Sequence, residues 1–371
     1  MTNLKKYNIW TKFKYKFVLL LFALLYWNAV IRLAVLLRLL GARNNDFREV
    51  ISKGMAFVLD QLFLSSLVIS FFAIFSWFIL NFVSPKLIRR FKVRRLMLVL
   101  VLFDVFVFVL LAILLGIIHY SLDKQLSFSD SLFMLNDFLL NSTTLFFLIV
   151  LFIASYVFQL IYTLIHQIGL DRLRKTMMGF YQRPREENRI FMFLDLQSST
   201  TFAEKLGHKR YSCFIQDCFR FLSNPLLQTM GRVYQFVGDE VVVTWDAKKL
   251  KNFERSVDFF FLYENALISK KEYFEKKYGM VPVFTASINE GKVMAAEVGE
   301  IKRELAFHGD VLNTAARIQK QCKRYRKKIL ITRNFASKLI KAKTNYKLKY
   351  IDIVKFLGKD RIVKIYEVYC P

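Results

Sequence analysis

Acidic residues are in short supply in this chain. It carries 29 Asp and Glu against 56 Lys and Arg, a formal net charge of +27 over 371 residues. Cysteine and histidine are scarcer still, at four each. Cys213, Cys218, Cys322 and Cys370 all lie in the second half, in neither a zinc-ligand spacing nor a paired framework. That excludes a disulfide-stapled secreted scaffold and points to a reducing compartment. His119, His166, His208 and His308 are scattered and form no HExxH pattern, which removes the metalloprotease reading. A basic excess suits nucleic acid, but the aromatics belong to apolar faces rather than to a stacking platform among basic residues, so nucleic acid is not an expected partner.

What the chain has in plenty is apolar surface: it is 55% hydrophobic and 16% aromatic, with 39 Phe, concentrated in its first half. Four runs, 17–37, 57–83, 96–118 and 144–165, each meet the length of about 20 apolar residues that a bilayer demands. The first run is too long for a cleaved signal peptide and no small-residue cleavage site follows it. Basic residues set the expected orientation. Lys5, Lys6, Lys12, Lys14 and Lys16 precede the first run; Lys86, Arg89, Arg90, Lys92, Arg94 and Arg95 follow the second. The loop after the third run is acidic, with Asp123, Asp130 and Asp137 against Lys124. Both termini are therefore expected on the cytoplasmic side of a cell (inner) membrane. A transporter is not favoured, since no paired Gly/Pro-broken helices are present. Asp104 falls well inside the third run, where a carboxylate is a functional candidate by default and a helix–helix hydrogen bond is its plainer explanation.

Residues 168–188 read as a short linker helix, able to pair with its own copy, that stops near Pro184. From 190 on, strand and helix patterns alternate as in an α+β domain with a mixed or antiparallel sheet. Strands are expected at 190–196, 233–236, 241–245, 281–288, 293–298 and 329–332, with two more closing the chain; Glu290-Gly291 reads as a turn. Helices are expected at 202–206, 211–230, 253–278, 311–325 and 334–340.

Three clusters in this half carry chemistry. Asp195 ends the apolar strand Ile190–Leu196 before a Gln-Ser-Ser-Thr-Thr turn. Alone it would be a helix-capping aspartate. Asp239 stands at the tip of a Gly238-Asp239 hairpin, and two carboxylates at different strand ends can hold hard divalent cations together with substrate phosphates. The third cluster is Gly309-Asp310-x-x-Asn313-x-x-x-Arg317, where Asn313 and Arg317, at i and i+4, share a helix face that could clamp a ribose and a phosphate or simply meet solvent.

Taken in order, these three clusters resemble the class III adenylate/guanylate cyclase catalytic domain, over about 190–368. With the four apolar runs and the linker, the expected whole is multi-domain: an all-α four-helix transmembrane region (1–167), a linker helix (168–188), and a cyclase domain (189–371) for which the resemblance implies an α+β ferredoxin-like (βαββαβ) fold. The resemblance also implies head-to-tail homodimers with the active sites at the interface. Asp195, Leu196 and Asp239 would hold two Mg²⁺ ions per site, with Mn²⁺ able to substitute. Asn313 would orient the ribose and Arg317 would neutralise charge at the α-phosphate from the opposite subunit. Gln235 and Ala306 occupy the base-reading positions. Gln235 can serve either purine and Ala306 forms no hydrogen bond through its side chain, so ATP is preferred over GTP only weakly. The family's Lys-Gly-Lys triphosphate motif is Leu357-Gly358-Lys359 here, leaving Lys359 as its match. Gly238-Asp239-Glu240 also mimics part of a diguanylate cyclase signature, but that family gives Asn313 and Arg317 no role. A silent cyclase-like signalling module is the alternative from outside enzymology.

Overall fold

The computed structural model describes residues 2–41, 54–83, 97–110, 113, 142–169, 174–176, 178–356 and 362–370. It divides into two compact units, Phe13–Arg174 and a second made of Met1–Lys12 with Lys175–Pro371.

The first unit is helical. Helices α1 (Thr2–Gly41, in this unit from Phe13 on), α2 (Gly54–Phe78, running on into a π-turn at Ile79–Val83), α3 (Met97–Leu110) and α4 (Ser142–Ile168) carry most of its described residues. Their shared core is aromatic-rich: Trp27 meets Phe72 edge-on at 4.9 Å and Phe22 stacks on Phe158 at 5.9 Å. Polar tips find partners inside the unit, Tyr26 Oη donating to the Ala154 carbonyl at 2.6 Å and Trp77 Nε1 to the Lys16 carbonyl at 3.1 Å. Lys16–Leu37 and Leu145–Ile165 are long and apolar enough to cross a membrane; Ser66–Phe82 and Met97–Leu110 are shorter apolar helices within the described residues. The loops that carry the orientation reasoning, 84–96 and 114–141, lie outside the described residues.

The second unit is an α+β domain built on one mixed sheet. Its elements run β1 (Arg185–Leu196), α5 (Ser199–Arg220), α6 (Ser223–Thr229), β2 (Arg232–Val237), β3 (Glu240–Asp246), α7 (Lys251–Ile268), α8 (Lys271–Tyr278), β4 (Phe284–Val298), β5 (Glu304–His308), α9 (Asp310–Tyr325), β6 (Ile329–Thr332), α10 (Arg333–Lys341), β7 (Lys347–Lys355) and β8 (Ile362–Tyr369). The strand order is β2-β3-β1-β4-β6-β8-β7, with β5 on β4. Among the described strand pairs only β4–β6 is parallel. The β2-β3-β1-β4 half, joined by helical crossovers, is the expected βαββαβ arrangement.

β1 is central because both its faces are covered. Ile190, Met192, Leu194 and Leu196 point into the larger core, with Phe214, Trp245, Phe253, Phe259 and Phe335. Phe191 and Phe193 point into a second cluster with Tyr181, Val242, Phe307, Val311 and Ala315. Two-sided burial explains why β1 reads as an unbroken apolar run rather than an alternating one. The helix α9 closes the second face with a stripe of buried positions, Val311, Thr314, Ala315, Ile318, Gln319 and Cys322, at helical spacing.

Several elements differ from the sequence expectations. β1 begins at Arg185, and Tyr181 already packs into the sheet's second cluster. The expected turn at Glu290-Gly291 is continuous strand, held extended by pairing with Ile190 and Arg189 of the long β1. Gly291 serves close approach instead: a Cβ there would lie 2.8 Å from Val311 Cγ2. The helix expected over 211–230 breaks at Phe221, and that over 253–278 breaks at Ser269–Lys270. β5 was not anticipated at all.

Candidate active site

Asp195 is the next-to-last residue of β1, on the strand face that carries Phe191 and Phe193, and it is half-buried. Asp239 sits in the β2–β3 turn, which Gly238 closes with a φ of 61°. The β1–β3 register runs out at Leu194–Val241, which brings the end of β1 alongside the start of β3 and so alongside that turn. The electrostatics report the closeness. Burial pushes the Asp195 carboxyl up to about 6, the Asp239 charge adds to the rise, and the Leu196 main chain opposes it. Glu240, the next residue, is pushed up to about 7 by burial and by both aspartates, with Lys320 pulling the other way.

The donor set fits a hard divalent cation. It consists of carboxylate oxygens from two elements; the Leu196 side chain is buried in the main core, so any share from Leu196 would have to come from its main chain. Among the described residues no group of three or more His, Cys, Asp or Glu could hold a metal alone. Substrate phosphates and water would therefore have to complete the shell, as Mg²⁺ ordinarily requires. α5 starts just beyond, at Ser199, with no acidic residue in its first turn and no side-chain cap, so its N-terminal amides are open to an anion.

Asn313 and Arg317 form a second group, one turn apart on α9. Asn313 is exposed, and the Arg317 guanidinium lies 5.8 Å from the centre of the Phe356 ring. Burial of Val311, Ala315 and Ile318 turns this other face of α9 outward. Gln235 is exposed on β2, just past a bulge, paired with Val242. Ala306 is half-buried on β5, opposite Ala296. Their neighbours are tied together: the Phe307 main-chain N–H donates to Tyr234 Oη at 3.3 Å, and the two rings meet at 5.1 Å. The sheet therefore draws the strands that carry Gln235 and Ala306 to one place. Lys359 lies outside the described residues; Lys355, exposed, ends β7.

Residues 181–368 match the family model described as the adenylate and guanylate cyclase catalytic domain. The chain belongs to that family. Within it, the chain is 29% identical over 172 residues to adenylate cyclase 2 of Rhizobium meliloti, covering 46% of this chain and 47% of that protein. It is 26% identical over 183 residues to an adenylate cyclase of Anabaena cylindrica, covering 48% of this chain and 36% of that one. The chain thus spans less than half the length of these curated relatives. A bacterial light-regulated adenylyl cyclase structure shares the fold at a TM-score of 0.50 and 16% identity, over 62% of this chain and 67% of the other.

Two residues of the cyclase domain near the carboxylates escaped the sequence reading. Glu240 was read only as the end of the hairpin tip and as part of a likeness to a diguanylate cyclase signature, and only the pairing of β1 with β3 brings it to Asp195. Tyr211, on α5, has its phenol pushed up to about 12 by burial and by the Asp239 and Asp195 charges, against a hydrogen bond from Ser199. Nothing local in the sequence signals either.

Proposed function

We propose that this chain is a membrane-anchored adenylate cyclase, converting ATP to cyclic 3′,5′-AMP and pyrophosphate in intracellular signalling. The observation that carries the reading is the meeting of Asp195 with Asp239 at the end of a buried strand, in a domain whose α9 presents Asn313 and Arg317. Two such carboxylates, with the Leu196 carbonyl, would bind Mg²⁺ or Mn²⁺, two ions per site. Bound there, divalent cations would acidify the ribose 3′-hydroxyl and offset the charge of the triphosphate.

The chain's own groups do the rest. Asp195 and Asp239 fix the ions at the strand ends, and the open start of α5 receives phosphate oxygens. Asn313 orients the ribose. Arg317 meets the charge that grows on the α-phosphate as the 3′-oxygen attacks and pyrophosphate leaves. Asn313 and Arg317 serve the site of the opposite subunit in a head-to-tail homodimer, so each dimer has two sites. Gln235 reads the adenine edge beside Ala306, and Lys359 meets the triphosphate.

The two helices long and apolar enough to cross a membrane support anchoring. We extend this to a four-span region over 1–167, both termini cytoplasmic, joined by a linker at 168–188 to the catalytic domain at 189–371. The test is direct. Purified protein with Mg²⁺ or Mn²⁺ and either ATP or GTP is expected to release cyclic AMP. Cyclic GMP alone would keep the mechanism and reverse the base assignment. A dimer of full-length protein that makes no cyclic nucleotide would establish a silent signalling module instead.

A further inference from the structure

The helical unit contains a polar centre that nucleotide cyclisation does not use. Asp104 of α3 is 3% exposed. Its Oδ2 accepts hydrogen bonds from Ser155 Oγ at 2.6 Å and Gln159 Nε2 at 3.2 Å, both on α4. Ser76 of α2, 1% exposed, faces the same carboxyl with its Oγ outside hydrogen-bond geometry. Gln159 is 2% exposed, and its Oε1 is buried without a hydrogen-bond partner. An aromatic layer adjoins this centre. Trp27 packs on Phe72 at 4.9 Å and on Phe158 at 5.7 Å, and Phe72 on Phe108 at 6.2 Å. Phe72 lies one turn from Ser76, Phe108 one turn from Asp104, and Phe158 beside Gln159, so three helices each supply both layers.

Among the described residues no basic side chain pairs with Asp104. A carboxylate held in an apolar bundle is costly unless something positive accompanies it. A proton would neutralise the carboxyl and could be donated to Gln159 Oε1, but one proton would still leave Ser76 Oγ outside hydrogen-bond geometry. A cation would serve the carboxylate, Oε1 and the two hydroxyl oxygens at once. One carboxylate balances one positive charge, and the donors are all oxygen, the set that hard cations take.

We propose that Asp104, Ser76, Ser155 and Gln159 form a buried binding site for a monovalent alkali cation inside the helical unit. The inference rests on the membrane-spanning reading, since only a bundle withdrawn from water makes the lone carboxylate so expensive.

The experiment uses the full-length protein. Retention in the membrane pellet through alkaline extraction tests the spanning reading by itself. Protein reconstituted in lipid nanodiscs is then melted in NaCl, KCl or choline chloride at equal ionic strength and fixed pH. The expected result is a Tm that rises saturably with Na⁺ or K⁺ over choline. Asp104→Asn should abolish the dependence. Ser155→Ala, which keeps the carboxylate and loses one ligand, should raise the half-saturating concentration roughly tenfold. A retained protein whose Tm ignores alkali ions overturns the site alone, as does a dependence that both variants preserve. A Tm that responds to pH but not to Na⁺ or K⁺ assigns the carboxyl to a proton and overturns it too. Release by alkaline extraction overturns the spanning reading, and this inference with it.

Discussion

Leu25 on α1 is 72% exposed, whereas Leu194 on β1 has no exposed surface, and the same contrast runs through the two units. In the cyclase domain the large apolar side chains gather between sheet and helices, as water requires. In the helical unit aromatic residues fill the centre while Leu25, Phe71 and Ile149 face outward. Two of these helices, Lys16–Leu37 and Leu145–Ile165, are long and apolar enough to cross a membrane, and such exteriors suit a lipid partner. The carboxylates differ in the same way. Asp195 stands at a strand end among other acids, a site that asks for added positive charge and substrate. Asp104 stands among neutral hydrogen-bonding groups, enclosed by the bundle.

The contrast can be tested at four points. The largest effect is expected at the strand ends: Asp195→Asn or Asp239→Asn should leave a folded dimer with activity lowered by roughly 10³-fold or more, as for loss of a principal electrostatic group. Mixing an Arg317→Ala chain with an Asp239→Ala chain should restore activity through one intact site per heterodimer. Well-folded mixed dimers without activity would break the shared-site assignment. Next, Phe214→Ala in the cyclase core should cost about 3–5 kcal/mol in chemical denaturation of the domain, because Phe214 is fully buried in the main cluster. A loss below about 1 kcal/mol would mean the core closes over the gap.

Leu25→Arg sharpens the comparison from the other side. In lipid it should cost about 2.5–3.5 kcal/mol of insertion free energy, read as protein lost from the membrane fraction. On a water-facing helix the same change would fall within about 0.5 kcal/mol.

The smallest effect is a pH dependence. Folded-state values of about 6 for Asp195 and about 7 for Glu240 lie above those of the unfolded chain, where both titrate near ~4. The stability these groups lend by holding protons is present in full below the unfolded values and lost as pH rises through the folded ones, about 6 to 7. Metal-free protein should therefore lose Tm from pH 5 to pH 8, and Mg²⁺ should raise Tm more at pH 8 than at pH 5. Equal Mg²⁺ effects at both pH values would separate the acids from the metal.

Much of this protein was legible in order along the chain, because the signals are local. The apolar run ending at Asp195, the Gly238-Asp239 hairpin and the periodic stripe that sets Asn313 beside Arg317 each depend on neighbours a few residues away. So do the apolar runs of the first half. The five-residue β5 was missed because only one of its residues is buried and it has no strong period; it is a strand only because β4 extends far enough to pair with it. Gly291 was misread as a turn because its extended state is imposed by β1, some hundred positions earlier. Glu240, Tyr211, and the Ser155 and Gln159 partners of Asp104 were invisible for the same reason. Local pattern determines most of the helices and strands and which residues are candidates for chemistry. Which carboxylate meets which partner is decided by long-range pairing, since an electrostatic neighbour is set by distance in space rather than by separation along the chain.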